Sequence, residues 1–192
     1  MYASNLRRGF TLIEVLVVIS IIGILTAVLY LNFSEARNES RNKVVQSELK
    51  EMQLALEVYK AQFGRYPSAP ASCDTVSGAT TTASSASCGT VPYIAGISPD
   101  FIAGVPAENT SGNSACTFIY SVESTDGDWY KLTARNCHYA ASSTAGVTQN
   151  NELARCPSSC TTCAGSTFNA GYVGSAPFYE SYAVYSIGGQ CE

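Results

Sequence analysis

The feature that most constrains this chain is the run from Phe10 to Phe33, 24 residues whose one charge is Glu14. At about 1.5 Å per residue, a helix of that length crosses a hydrocarbon core of roughly 30 Å. A short polar segment, Met1 to Gly9 (MYASNLRRG), precedes it and carries Arg7 and Arg8. By the positive-inside rule these arginines keep that end in the cytoplasm, so the rest of the chain is expected outside the inner membrane. A secretory signal peptide would place a small-residue cleavage site after its apolar run. Here Ala27 to Leu31 offers no small-x-small end, and a glycine stands before the run instead, in R-R-G-F-T-L-I-E.

Gly9-Phe10-Thr11-Leu12-Ile13-Glu14-Val15-Leu16 resembles the processing site of type IV pilins and of the pseudopilins of type II secretion. The resemblance implies that a prepilin peptidase cuts between Gly9 and Phe10 and that the new amine of Phe10 is methylated. The plainer alternative is an unprocessed signal anchor. Glu14 carries a further implication. A carboxylate inside a membrane helix is costly and is usually kept for function. Once Phe10 is the first residue, Glu14 lies one turn in, where the helix dipole favours an anion; that softens the cost without explaining a polar residue there. The resemblance assigns it to assembly, where the glutamate meets the N-terminal amine of a neighbouring subunit. In a low-dielectric setting neither charge has another partner, so they pair.

The resemblance also implies partners and place. The chain would polymerise with copies of itself and with related minor pilins on an inner-membrane assembly platform. It would sit in the inner membrane before assembly and in a periplasmic or cell-surface filament afterwards. One departure from the family stands out: many members carry a proline near the position of Leu31, whereas only Gly23 offers a weak point here.

Beyond the apolar run the chain turns polar but keeps a helical pattern. Val45, Leu49, Met52, Leu56, Tyr59 and Phe63 recur at spacings of four, three, four, three and four. Eleven of the 26 charges fall between Glu35 and Arg65, and Glu39 and Lys43 are set for an i,i+4 pair. One helix is therefore expected from Phe10 to Gln62, 53 residues or roughly 80 Å. Gly64 ends it and Pro67 blocks its return. The stripe fits a dedicated coiled-coil dimer or packing against the chain's own sheet, and the globular segment that follows favours the sheet. The organisation expected is a leader at 1–9, a transmembrane and assembly helix at 10–33, its exposed amphipathic half at 34–66, and a cysteine-rich head at 67–192.

Phe63-Gly64-Arg65-Tyr66-Pro67 resembles the G-R-Y-P turn that closes the long helix in major pseudopilins. Ala71 to Thr90, with ten Ser or Thr in twenty residues, reads as an exposed loop bracketed by Cys73 and Cys88. Thr117–Glu123 and Trp129–Ala134 read as strands flanking a hairpin-like turn at Ser124–Asp128, and Tyr179–Ile187 as a third. Tyr185-Ser186-Ile187-Gly188-Gly189 looks like the last strand of pseudopilins. The fold class is α+β, one long helix laid on a small antiparallel sheet with a disulfide-stapled head. Asn136–Phe178 is a long irregular stretch that needs an anchor.

Eight cysteines, all from Cys73 onward, in an exported chain read as up to four disulfides. Cys73–Cys88 would close the Ser/Thr-rich loop and Cys116–Cys137 the ends of the hairpin. Cys156, Cys160, Cys163 and Cys191 would form two more, their pairing open. The C-x3-C-x2-C spacing at Cys156, Cys160 and Cys163 is also that of iron–sulfur enzymes that cleave S-adenosylmethionine, and four thiolates suffice for zinc. A small exported head suits neither the large barrel nor the reducing compartment those enzymes need. Asp126 and Asp128 hint at calcium, but two carboxylates fall short of its six to eight oxygens. No cofactor and no metal is expected.

Charge closes other doors. The net charge is −4, and after Arg65 only Lys131, Arg135 and Arg155 are basic against nine acids, so no nucleic-acid partner is expected. His138 is the single histidine, and no Ser-His-Asp or phosphate-loop set accompanies it. The chain reads as a non-enzymatic filament subunit, with type IV pilus and type II secretion pseudopilus both open. The alternative is an exported, signal-anchored binding or enzymatic domain that does not polymerise.

Overall fold

The computed structural model describes residues 9–107, 116–139, 146–160, 163 and 180–192, without the side chains of 28–32 and 34. The expected leader, apart from Gly9, lies outside the described residues. The chain falls into two compact units, Met1–Glu39 and Ser40–Glu192. Helix α1 (Leu12–Phe63) is 52 residues long. The strands are β1 (Thr75–Ser77), β2 (Thr80–Ser84), β3 (Thr117–Glu123), β4 (Tyr130–Arg135) and β5 (Tyr182–Tyr185), with a one-turn helix α2 (Ser85–Cys88) after β2. They form one antiparallel sheet in the order β1-β2-β3-β4-β5. The class is α+β, a long helix packed on a small sheet.

In the second unit the periodic stripe of α1 is core as far as Leu56, whereas Tyr59 is half-buried and Phe63 is exposed. Val45, Leu49, Met52 and Leu56 are fully buried in one cluster with Phe118, Tyr120, Tyr130, Leu132 and Val184 of the sheet. Burial of each such side chain is worth about 1.5–3 kcal/mol. Gly64 ends the helix with φ 77° and an N–H to the Lys60 carbonyl at 2.8 Å, a left-handed cap. The chain then docks on the β3–β4 turn. The Tyr66 N–H reaches the Gly127 carbonyl at 2.9 Å, and the Tyr66 ring meets Tyr130 edge-on at 4.5 Å. Gly127 is required here: its φ is 66°, and a Cβ would lie 3.0 Å from the Tyr66 carbonyl oxygen. Within that turn the Glu123 carboxylate accepts N–H groups from Thr125, Asp126 and Gly127.

The structure corrects the reading of residues 71–90. They are not an exposed loop but two strands and a turn of helix. β2 pairs with β3 from Thr80↔Glu123 to Ser84↔Ile119, turning Thr81 and Ala83 inward. Ser84 and Ser87 then cap α2 reciprocally, the Ser87 N–H on Ser84 Oγ at 3.0 Å and the Ser84 N–H on Ser87 Oγ at 3.2 Å. Hydroxyls that look like loop composition here serve the sheet edge and a helix cap.

The last strand is also shorter than its pattern. β5 stops at Tyr185, and Ser186 leaves the ladder while its N–H still meets the Tyr130 carbonyl at 3.1 Å. The tail then folds across β4. Gly189 is fixed by contact: a Cβ there would stand 2.2 Å from the Tyr130 carbonyl oxygen. Of the irregular stretch, the stem is pinned to α1 by Asn42. Its amide donates to the Tyr139 carbonyl at 2.9 Å and accepts the Tyr139 N–H at 2.7 Å, while Arg41 lies over the Tyr139 ring.

Candidate functional site

The first candidate site is the start of α1. Gly9 has nothing within 4 Å of where a side chain would be, and Phe10 is 85% exposed. Thr11 is the residue before the helix, and Glu14 is its third member. The Glu14 carboxylate accepts the Thr11 N–H at 2.8 Å and the Thr11 hydroxyl at 2.7 Å, while the Glu14 N–H points back to Thr11 Oγ1 at 3.4 Å. This is a capping box: two amides that a helix start leaves unpaired are satisfied by side chains, and the anion sits at the positive end of the dipole. Sequence reasoning weighed Glu14 as a helix-end acid but missed its partner. The signal was there, a threonine three residues before a glutamate.

Every large apolar side chain from Phe10 to Leu25 is between 49% and 85% exposed. The two hydroxyls in the run bond back along the helix, Ser20 to the Leu16 carbonyl at 2.8 Å and Thr26 to the Ile22 carbonyl at 2.7 Å. A continuous apolar surface of this extent is rarely left uncovered. The expected span at 10–33 takes in positions 28–32, whose side chains lie outside the described residues. Among the described residues, no helix is long and apolar enough to cross a membrane.

The head offers a different inventory. Cys73–Cys88, Cys116–Cys137, Cys156–Cys163 and Cys160–Cys191 are bonded, and no cysteine is free. The three cysteines with iron–sulfur spacing are thus spent in two disulfides. His138 shares a hydrogen bond from Nδ1 with the Tyr182 hydroxyl, and its N–H meets the Glu180 carbonyl at 2.9 Å. Asp126 and Asp128 are exposed in the hairpin turn, and among the described residues no group of three or more His, Cys, Asp or Glu side chains is placed to hold a metal. A cleft of about 440 Å³ opens between Glu57, Lys60, Tyr66, Asp128 and the stretch Tyr185–Ile187. Its charges are engaged: Lys60 donates to the Asp128 carbonyl at 2.7 Å and lies over the Tyr66 ring, whose hydroxyl donates to Glu57 at 2.9 Å. Burial, and then Glu57, push the Tyr66 hydroxyl up to about 12, so it stays a donor at any ordinary pH.

Residues 4–30 fit the model of the prokaryotic N-terminal methylation motif. The type II secretion system core protein G of Klebsiella michiganensis is 38% identical over 61 residues, 32% of this chain and 43% of that protein. The Escherichia coli K12 protein of the same name is 34% identical over 67 residues, 35% of this chain and 46% of its own length. The chain thus carries the prepilin-type methylation motif and is similar, over about a third of its length, to type II secretion pseudopilins. It spans less than half the length of these relatives. No solved structure matches it.

Proposed function

We propose that this chain is a structural subunit of a type II secretion pseudopilus, cleaved between Gly9 and Phe10, methylated on Phe10 and polymerised through its N-terminal helix. The observation that carries the reading is the start of α1: an apolar face exposed from Phe10 to Leu25, interrupted by one carboxylate at Glu14. Before assembly, lipid would cover that face, with the head outside the cytoplasm. In the filament, the helices of neighbouring copies and of related minor pilins would replace the lipid. Glu14 would then meet the amine of an adjacent Phe10. The cut fits this chemistry, because it frees the amine one residue before the capping box and leaves Thr11 and Glu14 intact. Prepilin peptidase and an inner-membrane platform are the partners such a route needs.

Intact-mass measurement on the chain made beside an active prepilin peptidase tests the reading. The expected mass lacks Met1 to Gly9 and carries one added methyl group, and the same species is recovered in sheared filaments. A mass that retains Met1 to Gly9 would overturn it in favour of a non-polymerising, signal-anchored domain.

A further inference from the structure

The outer face of the sheet holds buried positive charge. Lys131 and Arg135 lie on the side of β4 away from the core residues Tyr130, Leu132 and Ala134, by the two-residue alternation of a strand. The segment 153–155 runs beside β5 through the Ala154–Tyr182 bridge and an Ala183 N–H to Leu153 carbonyl bond of 2.9 Å. Arg155 adjoins Cys156, which packs with Cys191, and Cys191 stands between Gln190 and Glu192, whose main-chain oxygens accept from Lys131 Nζ. Lys131 is 4% exposed and Arg155 7%.

Lys131 and Arg155 have donors to spare. Lys131 Nζ donates to the main-chain oxygens of Gln190 and Glu192, which leaves one of its three N–H groups over. Arg155 Nη1 is buried with no hydrogen-bond partner among the described residues. Burial and repulsion from Arg155 lower the Lys131 ammonium, and burial and repulsion from Arg135 lower Arg155; Glu192 acts the other way at Lys131. A guanidinium donor buried beside like charges is costly unless an anion completes the site.

We propose that Arg155 and Lys131, with Arg135 beside them, form a buried site for a small inorganic oxyanion, phosphate or sulfate. The guanidinium supplies paired donors that match an oxyanion edge, and Lys131 supplies a point charge with a spare N–H. Covalent bonds hold the walls. Cys191, in the tail that Lys131 grips, is bonded to Cys160, and Cys156, next to Arg155, is bonded to Cys163; the four sulfurs pack together. Burial this deep admits a free ion and shuts out a phosphate carried on a lipid, a glycan or a nucleic acid.

Thermal unfolding of the full disulfide-bonded chain in detergent, in phosphate, sulfate or chloride at one ionic strength, tests the site. Phosphate and sulfate are expected to raise Tm saturably, by about 3–6 °C at ten times the dissociation constant, and chloride not at all. Arg155→Gln should remove the increment and Arg155→Lys keep part of it. Equal Tm in the three salts, or an increment that persists in Arg155→Gln, overturns the proposal. If Arg155→Gln does not fold, calorimetric titration of phosphate into the wild-type chain decides: one saturable site supports it, and heat equal to that of chloride overturns it. None of these readings depends on whether the chain forms filaments.

Discussion

The two units solve opposite problems. In the first, Phe10 to Leu25 leaves its apolar side chains exposed, and the stability of the segment rests on helix hydrogen bonds and the Thr11–Glu14 box. In the second, the same helix buries Val45, Leu49, Met52 and Leu56 completely, and four disulfides brace what surrounds them. The first region leaves its apolar surface uncovered, and the second covers its own. A single helix can therefore serve assembly at one end and folding at the other, and substitutions in each should be blind to the other's readout.

The largest effect expected is at Glu14. Glu14→Gln keeps a side chain that can accept from Thr11 but removes the charge, whereas Glu14→Ala removes both. Both should leave the Tm of the head unchanged and yield few or no filaments when present as the sole copy, as counted by electron microscopy. Normal filaments with Glu14→Gln would make the residue a helix cap and nothing more. A head that melts earlier in either variant would break the separation of the two units.

The disulfides come next, and they can be ranked. Cys160–Cys191 spans 31 residues and Cys156–Cys163 spans 7. Chain entropy then assigns about 3–4 kcal/mol to the first and about 2 kcal/mol to the second. Denaturant unfolding of the Cys160→Ala/Cys191→Ala and Cys156→Ala/Cys163→Ala chains should show that order, with filament assembly unaffected wherever the head still folds. A reversed order would mean that packing of the tail, not chain entropy, dominates.

Asn42→Leu should cost the head about 1–3 kcal/mol, because the Tyr139 N–H and carbonyl both lose their partner. The same denaturant curves measure it, and a neutral result would show that water replaces the amide.

A pH slope in chloride probes the same unit through a single side chain. Burial, then Arg155, hold the Lys131 ammonium down to about 7, against an ordinary lysine value of 10.5. Between those values the unfolded chain binds the extra proton, so the head should gain stability as pH rises from about 7. The gain should be read below about 9.5, before tyrosines near 10 ionise in the unfolded state. Lys131→Met should flatten the slope, and an unchanged slope would move its origin elsewhere.

Much of the first unit was legible in the sequence. The apolar run, the glycine before it, the arginines and Glu14 are neighbours along the chain, and their meaning depends on spacing within a few turns. The helix stripe and the glycine that ends it are local for the same reason, and α1 runs to Phe63 against an expected end at Gln62. The head was legible where a pattern was local too. The β3 strand and its turn could be read because alternation and turn residues lie side by side.

What the sequence determined by itself was therefore the periodic and the contiguous: one long helix, its apolar half, a head with an even cysteine count. Only the tertiary structure decided that the Ser/Thr-rich segment joins the sheet, since Ala83 faces inward only because β3 lies beside it. It alone chose Cys156–Cys163 and Cys160–Cys191 among the pairings left open. It alone brought Arg155 to Lys131, 24 residues apart in sequence, under a tail that begins beyond both. Helical and strand periods are written in neighbouring residues, whereas pairings across such separations follow from which surfaces the folded chain must bury together.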